Sequence, residues 1–138
     1  LAGSAIGIAN AASSGVATLS EEPGQLRNVI VLASLPMTQS FYGLIILIII
    51  LTVVLPKIAA AAGVGAGIMV LGIGIMAGFA ELASAIFQGA VCSSGIALLP
   101  KTKGRILTAS MMLAVFVELI GVLGLVFTIM ALSILKLM

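Results

Sequence analysis

Four long apolar segments, separated by three short breaks, constrain most strongly what this chain can fold into. The segments cover approximately residues 1–19, 26–54, 58–99 and 105–137. A helix spans a bilayer with about 20 apolar residues, whereas strands of a membrane barrel alternate in polarity. The run LIILIIILTVVL at 44–55 does not alternate. Only 7% of the 138 residues are charged, against about 25% in soluble domains. We therefore predict one all-α membrane domain over 1–138 with four transmembrane helices.

The breaks between the segments carry turn residues. SEEPGQ at 20–25 combines Pro, Gly and two carboxylates, the second break lies around Pro56 and Lys57, and Pro100 begins the third. This spacing predicts two helical hairpins, 1–54 and 58–138. Because the stretch from Leu1 already looks like the later part of a helix, we expect the start of the first helix to be missing from this sequence.

The two hairpins repeat each other in sequence. Residues 3–19 align without gaps to residues 83–99 at a constant offset of 80, and 8 of these 17 positions are identical. Shared bias towards Gly, Ala and Ser is the alternative explanation, but the gapless match favours duplication. Two successive hairpins of this kind form a parallel repeat, related by an axis along the membrane normal.

The basic residues predict how the hairpins are oriented in the membrane. Both hairpin turns, 20–28 and 100–105, lie on one side and carry Arg27, Lys101, Lys103 and Arg105, whereas the other side has Lys57 and Lys136. Lys and Arg are enriched in cytoplasmic loops. The chain is therefore predicted to be a multi-pass protein of the cell membrane with both turns in the cytoplasm.

Glycine in the third segment suggests an assembly. The run 63–78 contains six Gly residues, and in lipid small residues allow helix backbones to approach closely. Packing within one chain is the alternative, but we favour many identical copies packed in a ring around an axis.

Several functions are excluded by composition. The chain has no His, one Cys and a net charge of +2. A His-based metal site, a Ser-His-Asp triad and a disulfide framework within one chain are therefore excluded, and no nucleic-acid partner is expected.

Three polar side chains are predicted to lie at one depth inside the bilayer. Glu118 is 13 residues from Arg105, Gln39 is 12 from Arg27 and Gln88 is 13 from Lys101. A carboxylate costs about 2.5–3.5 kcal/mol at the centre of a membrane helix on insertion scales. Alternatively, Glu118 has only a structural role, in which it is protonated and hydrogen-bonded to the amides of Gln39 and Gln88. Further oxygen-bearing groups in the neighbouring sequence favour a functional site over this structural role.

Those oxygen groups lie in SLPMTQSFYG at 34–43. Pro36 lacks an N–H and disrupts the helix, so Leu35 can offer its carbonyl, Thr38 adds a hydroxyl, and Tyr42 can donate its O–H to a carboxylate. Oxygen ligands suit hard cations, and a single carboxylate suits a monovalent one. We predict a site for Na⁺; a proton, the alternative, would need only Glu118.

Three motifs in this sequence are shared with a known family: LPMTQSFYG, FQG at 87–89 and FVELIGVLG at 116–124. With them, the chain resembles the sodium-binding proteolipid, or rotor ring subunit K, of V-type (A/V-type) rotary ATPases. The resemblance covers nearly the whole chain. It implies an Na⁺ site at Glu118, Gln88, Gln39, Thr38 and the Leu35 carbonyl, with Tyr42 bonded to the carboxylate.

The resemblance also implies partners and a mechanism. Copies of the chain would form a ring in lipid, next to a stator membrane subunit that carries an Arg, and central-stalk subunits would contact the hairpin turns. The chain would not be an enzyme by itself. It would carry Na⁺ across the membrane as the ring rotates, coupled to ATP hydrolysis or synthesis in a separate soluble sector.

Glu81 departs from this family pattern. It lies seven residues before Gln88 and therefore faces nearly the same way, about 10 Å along the helix. It could be an accessory ligand to a second ion, part of an exit path or a protonated packing group, and we favour packing.

Two other functions remain as alternatives. A proton-specific rotor proteolipid would not need Thr38, Gln39 and Gln88. A small four-helix exporter of cations or drugs would rely on aromatic residues, which form only 4% of this chain.

Overall fold

The computed structural model describes residues 1–61 and 64–138, and it is built from helices. Seven α-helical segments are described: α1 (Ala2–Glu21), α2 (Leu26–Ser34), α3 (Thr38–Ile49), α4 (Leu55–Ala61), α5 (Val64–Ala97), α6 (Leu99–Thr102) and α7 (Leu107–Ile134). The four apolar segments of the sequence therefore correspond to α1, to the stretch from α2 to α4, to α5 and to α7. The all-α prediction is confirmed.

The second segment is one long helix with two local irregularities. A 3₁₀ turn at Leu35–Met37 contains Pro36 and joins α2 to α3, as expected for a residue that cannot donate a backbone hydrogen bond. A π-helical turn at Ile50–Val54 then joins α3 to α4.

The predicted break at Pro56 and Lys57 is wrong. Both residues lie inside α4, and the helix continues to Ala61. The widened π turn directly before Pro56 explains this, because such a turn accommodates a residue that lacks the N–H. Residues 62–63, between α4 and α5, lie outside the described part of the chain.

Within the described residues, three helices are long and apolar enough to cross a membrane: Pro23–Ala60, Gly65–Ala97 and Leu107–Ile134. The fourth predicted span, α1, is helical over 20 residues but is not among them, because Ser, Asn, Thr and Gly lower its hydropathy. Its crossing of the membrane stays a prediction.

Helices α1 and α5 pack closely along their length. A Cβ placed on Gly89 would collide with the backbone of Gly7, so the two backbones touch at this point. Further along, the Ser14 and Ser93 hydroxyls lie 2.6 Å apart, and Thr18 donates a hydrogen bond to the Ile96 carbonyl at 3.0 Å. Small residues thus permit α1 and α5 to approach closely, and hydrogen bonds from polar side chains stabilise the contact.

Among the described residues, two apolar clusters lie towards opposite ends of the bundle. The first contains Leu32, Cys92, Ile96, Leu99 and Ala114 among its buried residues. The second contains Val54, Ile73, Leu132 and Leu137. Residues midway along α3, α5 and α7 therefore lie between two packed hydrophobic layers.

The two predicted hairpin turns meet on the same side of the molecule. Lys103 and Gly104 have positive φ angles of 51° and 78°, and this left-handed turn ends α6. Gly104 lies against the side chains of Gln25 and Asn28 in the first turn, which are joined by a 2.7 Å hydrogen bond.

Candidate ion site

The centre of the candidate site is Glu118, a partly exposed carboxylate midway along α7. Its two oxygens are held from two different helices. The Tyr42 hydroxyl on α3 donates to Oε1 at 2.9 Å, and the Gln88 amide on α5 donates to Oε2 at 3.3 Å. The carboxylate therefore has a fixed orientation and no unpaired oxygen.

A second layer of hydrogen bonds fixes Gln88 in turn. The Gln39 amide nitrogen donates both to Gln88 Oε1 at 2.8 Å and to Ser84 Oγ at 3.0 Å. Ser84 donates its own proton to the Val117 carbonyl on α7 at 3.0 Å. Gln39, Gln88 and Ser84 are 1% exposed or less, so these bonds form in a low-dielectric interior where they are strong.

The 3₁₀ turn at Pro36 supplies two further oxygens. Thr38 Oγ1 donates to the Leu35 carbonyl at 3.1 Å and lies 3.3 Å from Gln39 Oε1. The turn thus places the Thr38 hydroxyl in contact with both a backbone carbonyl and an amide oxygen. All three are neutral acceptors.

The structure brings together the six residues singled out by sequence. Glu118 is bonded to Tyr42 and Gln88, Gln88 to Gln39, and Gln39 to Thr38, which reaches Leu35. Three helices that are far apart in sequence thus contribute to one hydrogen-bonded cluster.

Ser84 is the member of the cluster that sequence analysis missed. It lies four residues before Gln88, so it occupies the same face of α5. That spacing could have identified it, but serine is frequent in the Gly/Ala/Ser-rich repeats and a serine there is not distinctive.

Glu81 is close to the cluster but outside its hydrogen bonds. It is 6% exposed, and neither carboxylate oxygen has a hydrogen-bond partner among the described residues. Gly121 on α7 provides the room for it, since a Cβ there would come within 2.8 Å of Glu81 Oε2. Glu81 also lines a cavity of about 490 Å³ together with Gln39, Gly43 and Gly78.

The chemistry of the donor set limits what the cluster could hold. The described residues contain no group of three or more His, Cys, Asp or Glu side chains placed to bind a metal. A cation here would be held by one carboxylate and by neutral oxygens. Such a set suits a hard monovalent ion better than a divalent one, which recruits more carboxylates.

Comparison with known proteins gives the class to which this fold and cluster belong. The family model that describes the C subunit of ATP synthase matches residues 1–50 and 71–131. The chain therefore belongs to the ATP synthase C-subunit family, which confirms at the level of the family the resemblance found in the sequence.

Two curated relatives are more specific. The chain is 36% identical to the A-type ATP synthase subunit K of Methanocaldococcus jannaschii over 96% of its own length and 58% of that protein. It is 31% identical to the V-type sodium ATPase subunit K of Enterococcus hirae over 90% of its length and 76% of that protein. The chain thus spans a little over half of the first relative.

Proposed function

We propose that this chain is a membrane rotor subunit that binds Na⁺ at Glu118 and carries it across the bilayer as a ring of copies rotates. Rotation would be coupled to ATP hydrolysis or synthesis in a separate soluble sector. The chain would be the ion-carrying part of that complex, without nucleotide chemistry of its own.

The single observation that supports an ion cargo is the excess of oxygen atoms around one carboxylate. Thr38 Oγ1 contacts both the Leu35 carbonyl and Gln39 Oε1, and the Gln39 amide is bonded to the Gln88 side chain that donates to Glu118. A proton would need only the carboxylate. Each Gln side chain presents one oxygen and one nitrogen, which exchange places on half a turn of the amide, so both amides can direct oxygen towards a cation.

A binding step in this proposal controls the charge of the site. An ionised Glu118 facing lipid costs several kcal/mol, whereas a neutralised site costs much less. Na⁺ would therefore load Glu118 before the site turns towards lipid. An Arg on a neighbouring stator subunit, by analogy with the resemblance, would release the ion into an exit channel.

The same proposal includes four spans and two hairpins, 1–54 and 58–138. The close contact between α1 and α5 supports it, because α1 is packed against a helix that is apolar enough to span the membrane. The family model matches one stretch in each half of the chain. With Glu118 in only one half, each chain would hold one ion.

The adjacent hairpin turns are the proposed contact for the central stalk. Lys101, Lys103 and Arg105 cluster in the second turn, and Gly104 touches the first turn. A basic surface at this end is typical of the cytoplasmic side of a membrane protein.

Labelling of Glu118 with a hydrophobic carbodiimide tests the proposal, since the reagent attacks a protonated carboxyl and a bound cation displaces that proton. We expect Na⁺ to slow labelling of the purified assembly and K⁺ at equal ionic strength to do so much less. Glu118→Gln is the matched control and should leave no label at this position. Equal labelling with and without Na⁺ would favour the proton-specific rotor.

The mass of the native particle in mild detergent tests the assembly separately. A mass of many copies is expected from a ring. A dimer would instead favour the small exporter.

A further inference from the structure

A single serine, Ser84 on α5, joins α3 to α7 beside the candidate site. Its hydroxyl donates to the Val117 carbonyl on α7 at 3.0 Å, and its oxygen accepts from the Gln39 amide on α3 at 3.0 Å. The side chain is buried, so solvent does not compete for either bond. Because Val117 directly precedes Glu118, Ser84 lies between the helix that carries the carboxylate and the helix that carries the neutral oxygens.

The direction of these two hydrogen bonds follows from the groups that form them. A carbonyl can only accept a hydrogen bond, and a serine hydroxyl has a single proton to donate. The bond to Val117 uses that proton, so Ser84 can face Gln39 only as an acceptor. The part of the Gln39 amide that lies against Ser84 is therefore its NH₂ group.

The second N–H of Gln39 also has an acceptor inside the bundle. The amide nitrogen donates to Gln88 Oε1 at 2.8 Å. The amide oxygen is left on the opposite side, where it lies 3.3 Å from Thr38 Oγ1, which in turn contacts the Leu35 carbonyl. Ser84 thus favours the orientation in which Gln39 directs oxygen, and not nitrogen, towards the proposed ion ligands of the 3₁₀ turn.

Gln88 does not fix this orientation by itself. If both amides made half a turn together, Gln88 would become the donor and Gln39 the acceptor, and their mutual bond would be kept. Ser84 opposes this concerted turn, because its proton is held by a backbone carbonyl that cannot become a donor. Ser84 is therefore the fixed end of the hydrogen-bond chain that leads through the two amides to Glu118.

We propose that Ser84 is a positioning residue that favours Na⁺ over protons at this site, by holding the Gln39 amide with its oxygen towards the ion. Ser84 acts through Gln39 and is not itself a ligand. This inference rests on the proposed function, since it requires that Na⁺ binds beside Glu118, and it adds the residue that orients one of the ligands.

Selectivity follows because the two ions need different groups. A Gln39 amide rotated by half a turn would present its N–H groups, which repel a cation. A proton on Glu118 needs only the carboxylate, whose bonds to Tyr42 and Gln88 do not involve Ser84. Loss of the serine hydroxyl should therefore weaken Na⁺ binding and leave proton binding nearly unchanged.

Ser84→Ala tests the inference with two readouts on the assembled full chain. The Na⁺ concentration that halves carbodiimide labelling of Glu118 should rise by about fivefold, as expected for loss of one hydrogen bond that orients a ligand. The pH at which labelling is half-maximal without Na⁺ should stay unchanged. Tyr42, Glu81 and Cys92, which can titrate near the cluster, are kept in every variant.

Thr18→Val is the matched control. Thr18 donates a buried hydrogen bond from α1 to the Ile96 carbonyl on α5 at 3.0 Å, so its loss loosens a helix contact outside the Glu118 cluster. Both readouts should stay as in the unmodified chain. Ser84→Cys keeps a group of similar size that accepts hydrogen bonds only weakly, and it should also raise the Na⁺ concentration. This variant decides the question if the alanine variant does not assemble.

The outcomes separate this inference from the proposed function. If Na⁺ protects the unmodified chain and the assembled Ser84 variants need no more Na⁺, the inference alone is overturned. An equal rise in Thr18→Val, or a pH midpoint shifted by the same factor, would overturn it too, since either indicates general loosening of the bundle. If Na⁺ does not protect the unmodified chain, both the proposed Na⁺ site and this inference fail.

Discussion

The hydroxyl of Tyr42 donates a 2.9 Å hydrogen bond to Oε1 of Glu118, joining α3 to α7 across the middle of the bundle. This bond holds the carboxylate in place without supplying a charge. A substitution at Tyr42 can remove this hydrogen bond from the proposed Na⁺ site without changing the Glu118 carboxylate.

Tyr42→Phe should weaken Na⁺ binding by about tenfold, because a hydrogen bond to a charged group is worth about 1.5–3 kcal/mol and about 1.4 kcal/mol is a factor of ten. The measurement is the Na⁺ concentration that halves carbodiimide labelling of Glu118. Ser40→Ala, two residues earlier on the same helix, is the control and should leave that concentration unchanged. An unchanged value for Tyr42→Phe would show that the bond does not orient the ligand.

Ser84→Ala should lower the thermal stability of the protein. The change removes the acceptor for the buried Gln39 amide and the donor to the Val117 carbonyl, and an unsatisfied buried polar group costs about 1–3 kcal/mol. Thermal unfolding in detergent, followed by circular dichroism, measures the effect. Ser20→Ala, at the end of α1, loses only a local bond to the Ala17 carbonyl at an exposed site and should have little effect; equal losses in both variants would contradict the prediction.

Glu81→Met should raise thermal stability. The carboxyl is 6% exposed and has no hydrogen-bond partner in the described chain, so an apolar side chain of similar size removes a desolvation cost. Glu21→Gln, at an exposed position, should change nothing.

The milder substitution Glu81→Gln tests the role of this residue in ion binding. If Glu81 is a packing group, Na⁺ should protect Glu118 as well as in the unmodified chain. A loss of protection of about tenfold or more, equivalent to about 1.4 kcal/mol of binding free energy, would instead make Glu81 an accessory ligand or part of the ion path.

Gly89→Val should disrupt the bundle, because the added side chain would collide with the backbone of Gly7, which cannot move aside as a flexible side chain can. Overpacking of this kind costs typically about 1–3 kcal/mol and occasionally more. The expected result is a lower unfolding temperature and less intact particle after extraction. Gly24→Ala, where no atom lies within 4 Å of the added Cβ, is the control, and a normal particle from Gly89→Val would refute the close contact.

The sequence predicted the helices and the meeting of Gln39, Gln88 and Glu118 for a simple physical reason. A helix rises by a constant amount per residue, so equal counts from the two turns place side chains at equal depth. Composition and spacing were sufficient for this part of the site.

Other features of the fold and the site could not be predicted from the sequence, because they depend on the three-dimensional positions of residues. The end of the second helix was misjudged because Pro56 usually ends a helix, whereas a π turn before it lets this helix continue. Whether Glu81 has a partner depends on side-chain geometry across three helices. Ser84 becomes distinctive only once Gln39 and Val117 are seen on either side of it.

The touching backbones at Gly7 and Gly89 have a mechanical consequence for a rotor. Two helices in contact without intervening side chains leave little that can compress, so α1 and α5 of one chain would turn as a stiff unit.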